Sequence, residues 1–382
     1  MLRPKLIALA VFVCFALWLG RGLAIAAPGL LGQEAAPQAH HCALARWLRL
    51  GRGPALASLA RGQDLYVGTA VNLKALGRDR QYRRRLAQEF NLVTAENDMK
   101  LDRLQPRPDQ FDFSQADRLM AFAADHQMAV RGHTLVWHRA VPDWLEQQDW
   151  SRAELMALLE NHIKTVVGRY RGQIAAWDVV NEAIADDSSL RDTFWLRGIG
   201  PDYIEMAFRW AHEADPGALL MYNDYGGEGL NAKSDAIYSL VQSLRAKDVP
   251  IHGVGLQMHV QVNSAPSPQE VAANMARLAD LGLQAQITEM DVRIQQPSDS
   301  SDADQQAEIY QAMLQTCLEA ENCNTFVTWG FSDRYSWVPG HFEGWGEALI
   351  FDQDYRAKPA YHSLLNLLTN YSPSGADQNR AD

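Results

Sequence analysis

Two apolar runs in the chain end abruptly in a carboxylate. Trp177-Asp178-Val179-Val180-Asn181-Glu182 closes on Glu182, and Ile287-Thr288-Glu289 closes on Glu289. An isolated glutamate most often caps a helix or makes a surface ion pair, but a pair at apolar strand ends suits acid–base and nucleophilic work at a sugar's anomeric carbon. One carboxyl has to be ionised to attack while the other keeps its proton to donate to the leaving group. The ionised member helps, because like charges raise the pKa of the second. A gap of roughly 5–5.5 Å lets one act as nucleophile, and a wider gap admits water and gives inversion. Asn181 lies beside Glu182, placed to hydrogen-bond a sugar 2-hydroxyl. His259 and Asp291 complete an Asp–His–Glu chain that would orient Glu289, and Gln257 would reach the sugar or the nucleophile from the face that carries His259.

The histidines His133, His138 and His259 invite a metal reading. Metal-dependent barrel hydrolases usually open with His-x-His on the first strand, and here that strand reads Val67-Gly68-Thr69-Ala70-Val71-Asn72. No metal or cofactor is therefore expected. Trp137, Trp329, Trp337 and Trp345 fall at or beyond strand ends, where indole faces suit the C–H faces of sugars.

Positioning such groups takes a scaffold that gathers strand ends. Short apolar runs at 65–72, 91–97, 128–137, 174–182, 218–224, 251–259, 284–291 and 325–333 each precede a helical pattern. That alternation signals a parallel sheet of βα units. Eight units describe a single (β/α)₈ barrel, an α/β fold whose strand ends meet at one face. The clearest helix is 151–169, with Leu155, Leu158, Leu159, Ile163, Val166 and Val167 on one stripe. Ser151 with Glu154, and Ser267 with Glu270, form capping boxes, the second with Pro268 at the first helical position.

The chain has 382 residues and a formal net charge of −11, which argues against nucleic acid or an anionic membrane surface as partner. Arg3 and Lys5, the apolar run 6–19 and Ala24-Ile25-Ala26 read as a signal segment over 1–26, with export after cleavage expected and an uncleaved anchor as the alternative. Residues 27–53 read as a leader, 54–370 as the catalytic domain and 371–382 as a frayed tail. Cys317 and Cys323 are the pair inside the later domain. A bridge there would contribute about 2 kcal/mol; two reduced thiols are the alternative. A monomer that is secreted or periplasmic is the expectation.

Beyond these pairings, whole strings resemble glycoside hydrolase family 10, chiefly endo-1,4-β-xylanases. They are Glu96-Asn97-Asp98-Met99-Lys100, His133-Thr134-Leu135-Val136-Trp137-His138, Trp177 through Glu182, Gly253 through His259, Ile287 through Asp291, and Thr328-Trp329-Gly330 with Asp333, Ser336 and Trp337. The likeness covers about 56–370 in order. It implies retaining hydrolysis of β-1,4-xylan, with Glu182 as acid/base and Glu289 as nucleophile. His133, Trp137, Asn181, Gln257 and His259 would surround the sugar at the cleavage point. Glu96, Asn97, Lys100, Trp329 and Trp337 would shape the neighbouring subsite, although Lys100 and Glu96 on their own read as a structural ion pair. Cys317 and Cys323 match a disulfide position of that family. Leu101, where an aromatic is frequent, Gly226, where Asn is usual, and the 341–347 loop depart from the pattern. The rival readings are a barrel glycosidase for another β-1,4-glycan or an aryl glycoside, and a non-catalytic carbohydrate-binding or inhibitor protein on the same scaffold.

Overall fold

The apolar runs are short because each is buried on both faces, between a filled interior and an outer ring of helices. The computed structural model describes residues 54–372. Its strands are β1 (Tyr66–Val71), β2 (Leu92–Ala95), β3 (Ala129–Trp137), β4 (Ala176–Asn181), β5 (Leu219–Asp224), β6 (Gly253–Leu256), β7 (His259–Gln261), β8 (Gln284–Gln295), β9 (Thr325–Thr328) and β10 (Trp345–Gly346). Strands β1 to β6, β8 and β9 pair in parallel in that order, and β9 returns to β1, closing the expected eight-stranded barrel. The short strands β7 and β10 extend β8 above the barrel rim, the first parallel and the second antiparallel.

Three strand expectations needed correction, the simplest being the eighth run, whose strand β9 stops at Thr328, short of Asp333. The sixth run is not continuous to His259: β6 ends at Leu256, Met258 adopts φ 65°, and β7 begins afresh. The Met258 N–H is taken by the buried Glu228 carboxylate at 3.0 Å, so it leaves the ladder there. Gln257 and His259 therefore do not share one strand face. The seventh run continues past Asp291 to Gln295, because β7 and β10 give its outer half ladder partners.

The helix Arg152–Arg169 buries Leu155, Leu159, Ile163, Val166 and Val167, and Ser151 and Glu154 cap it reciprocally. Ser267 and Glu270 do the same for Pro268–Asp280. Cys317 and Cys323 form a disulfide with Cα atoms 5.1 Å apart, tying the helix Ser300–Glu319 to the approach of β9. Among the described residues no helix is long and apolar enough to cross a membrane. The segments expected to be a signal (1–26) and a leader (27–53), and the expected tail from residue 373 onward, lie outside the described residues.

Candidate active site

At the C-terminal rim of the barrel the strand ends enclose a cleft of about 840 Å³. Glu182 follows directly on β4, where its φ of 58° turns the chain out of the strand. Such a conformation in a non-glycine residue costs of order 1–3 kcal/mol and persists only where surrounding contacts hold it. Here those contacts are the Glu182 N–H to the Asn223 carbonyl at 2.8 Å and the Arg191 guanidinium to the Glu182 carbonyl at 2.9 Å. The side chain accepts from the Trp137 indole N–H at 2.8 Å on one oxygen. The other oxygen accepts from the Gln257 amide at 3.1 Å and the Asn181 amide at 3.3 Å.

Glu289 comes from β8 and is held differently. Asn223 donates to one oxygen at 2.6 Å, with His133 Nδ1 3.7 Å away, and His259 Nε2 lies 3.2 Å from the other. The strand register sets His259 beside Asp291, and His259 Nδ1 is 2.8 Å from the Asp291 carboxylate. The Trp337 indole donates to the same Asp291 oxygen at 2.7 Å. Burial disfavours a charged His259, but Asp291 and Glu289 outweigh it and raise its pKa to about 10. Burial would likewise push Glu289 up; the charges of His133 and His259 and the His259 hydrogen bond reverse that and hold the carboxyl below its usual range. The predicted Asp–His–Glu chain is thus formed, with an ionised carboxylate at its end.

Beneath the cleft a buried ion pair supports this wall. Arg131 binds Asp178 through two nitrogens and donates to Gln286, while His133 Nδ1 lies 3.0 Å from Asp178. Two charges in so dry a place require full pairing. Here the pairing fixes His133 against Glu289.

The cleft gathers Glu96, Asn97, Lys100, His133, Trp137, Asn181, Gln257, Trp329 and Trp337 with the two glutamates and His259, while Asp291 is buried behind them. Several details differ from expectation. Gln257 reaches Glu182, not Glu289. Lys100 makes no ion pair with Glu96; it donates to Asn97 at 2.8 Å and sits 4.6 Å over the Trp137 ring, while Glu96 accepts from Asn72 at 3.1 Å. Trp345 does not itself line the cleft but stands behind Arg293, paired in β10 and packed near Val338, Ala348 and Leu349. Leu101 is buried in the core. Gly226 stands at φ 69°, which a glycine adopts without strain, and donates its N–H to Glu228 at 3.0 Å.

Asn223 was missed as a site residue. Its amide bridges the two walls, donating to Glu289 and to Asn181 at 2.8 Å, while its oxygen accepts from Thr288 at 2.7 Å. Its place at the end of a strand was the available signal. Arg191 and Tyr225, which also line the cleft, lie in loops without a periodic pattern.

The model of glycosyl hydrolase family 10 matches residues 55–367. Endo-1,4-β-xylanase B of Thermotoga neapolitana is 43% identical over 318 residues, covering 82% of this chain and 91% of that protein. An endo-1,4-β-xylanase of Agaricus bisporus is 38% identical over 308 residues, covering 80% and 92%. Among solved structures, xylanase 10B of Thermotoga petrophila RKU-1 in complex with xylobiose superposes with a TM-score of 0.81 at 42% identity, covering 83% of this chain and 98% of that one.

Proposed function

The chain belongs to glycosyl hydrolase family 10, and from that premise we propose that it is an endo-1,4-β-xylanase in which Glu289 is the nucleophile and Glu182 the acid/base. The observation that carries the assignment is the unequal wiring of the two carboxylates. Glu289 faces an imidazolium and is held ionised, as attack on an anomeric carbon requires. Glu182 instead takes hydrogen bonds only from the uncharged donors Trp137, Gln257 and Asn181 and has no imidazolium bonded to it, which leaves it the acid/base role.

Glu289 attacks the anomeric carbon while Glu182 protonates the departing glycosidic oxygen, giving a glycosyl ester on Glu289 and a free sugar hydroxyl. The ester cancels the Glu289 charge, so Glu182, now ionised, takes a proton from water, which cleaves the ester with net retention. The Asn181 oxygen is occupied by Asn223 and Gln257 and one amide N–H by Glu182, which leaves the second N–H to meet a sugar 2-hydroxyl. A monomeric enzyme is part of this reading. The apolar N-terminal pattern and the disulfide support export as its route to a polymeric substrate.

The test is reducing-sugar release from soluble β-1,4-xylan, with the anomeric configuration followed by proton NMR in the first minutes. Initial β-product is expected. Initial α-product would remove the nucleophile role of Glu289, and no release from folded protein would favour another β-1,4-glycan or a binding role.

A further inference from the structure

The protein is acidic overall, yet its cleft is lined by Lys100, Arg139, Arg191 and Arg293. Two of these cations are satisfied internally. Lys100 donates to Asn97, and Arg191 donates to the carbonyls of Glu182 and Ile184 and to the Tyr225 hydroxyl. Arg139 and Arg293 have neither a hydrogen-bond acceptor nor a carboxylate within ion-pair reach among the described residues. They are not equivalent. Arg139 is exposed, with its guanidinium 6.0 Å from the centre of the Trp137 ring. Arg293 is half-buried and seated on two rings, 4.2 Å from the centre of Phe342 and 5.5 Å from that of Trp345. Burial works against its charge, with Asp291 the opposing influence.

A guanidinium fixed in this way has its side-chain entropy already spent and its fork free. That fork matches a carboxylate through two parallel N–H donors. Phe342 also lines the cleft, so the guanidinium and the ring that seats it both stand at the cleft wall. We propose that Arg293 is a carboxylate-binding residue of the cleft and that it takes the uronic-acid substituent of an acidic β-1,4-xylan. The inference deepens the xylanase reading and rests on it. In a protein of net charge −11, a local cation at the cleft wall offsets the general repulsion of an acidic polymer.

Three oligosaccharides of equal backbone length test it: one unbranched, one bearing a single glucuronic acid, and the carboxyl-reduced twin of the second. For the wild type, kcat/KM on the acidic substrate should exceed that on its reduced twin by about five- to tenfold, between an exposed and a charge-assisted contact. The preference should lie in KM and shrink with added salt. Arg293→Gln should bring the ratio to one, Arg293→Lys should leave a fraction of it, and Arg139→Gln should keep it. Equal rates on the acidic and reduced substrates in the wild type overturn the proposal. So does a ratio unchanged in Arg293→Gln, including a uniform loss on all three substrates, or a ratio that disappears in Arg139→Gln alone. If the wild type leaves the unbranched substrate uncut, the xylanase reading itself fails, and this proposal with it.

Discussion

At the level of single residues, the division of labour between Glu182 and Glu289 follows from what each oxygen touches. Removing Glu289 leaves no nucleophile, so Glu289→Ala should fall below detection on every substrate. Glu182→Ala should lose on the order of 10²–10⁴-fold on xylan. It should retain the first step on an aryl xylobioside whose leaving group needs no proton. Burst kinetics on that substrate distinguish the roles, and equal slowness of both variants would refute them. The His259–Glu289 pair also sets a pH window for stability. The Glu289 carboxyl lies below its ordinary 4.5, so its contribution is present above that value and fades as pH falls. His259 is raised from 6.5 to about 10, so its contribution is full below 6.5 and is lost as pH climbs through 10. Calorimetry should therefore show Tm declining on the alkaline side, and His259→Asn should flatten that decline. An unchanged alkaline limb would mean that the imidazolium is not held by these partners.

At the level of elements, strands carry the chemistry, and their packing tolerances become catalytic tolerances. Gly255 in β6 lies against β5 so closely that a Cβ would come within 2.1 Å of the Asn223 oxygen. Gly255→Ala should destabilise by about 1–3 kcal/mol. It should also lower kcat, because the displaced amide is the one that donates to Glu289; full activity in a folded variant would contradict the bridging role of Asn223. Helix ends are the contrasting case. Ser151→Ala breaks the capping box of Arg152–Arg169 and should cost about 1 kcal/mol in urea unfolding while leaving kcat/KM intact.

Across the whole molecule, the barrel closes between β9 and β1, and the disulfide secures the approach to that last strand. A bridge over so short a loop contributes about 2 kcal/mol in the chain-entropy model. Cys317→Ala with Cys323→Ala should lower Tm by several degrees and leave the kinetics unaltered, since neither residue reaches the cleft. A chelator should leave activity unchanged, because both chemical steps are carried by carboxylates. Loss restored by zinc would overturn that account.

Much of this was legible in order and spacing. Alternating apolar runs and helical stripes identify a closed βα architecture. Carboxylates at the ends of two such runs single out Glu182 and Glu289, and paired Ser and Glu mark two helix starts, because each of these signals is local and periodic. What tertiary structure alone decided is who partners whom. The Met258 turn that separates Gln257 from His259, the choice of Asn97 over Glu96 by Lys100, and the withdrawal of Trp345 all depend on neighbours remote in sequence. The same is true of the Asn223 bridge and the unpartnered fork of Arg293. Periodicity reports which way a side chain leaves its own element, but hydrogen-bond partners and desolvation are set by residues that only the closed barrel brings together.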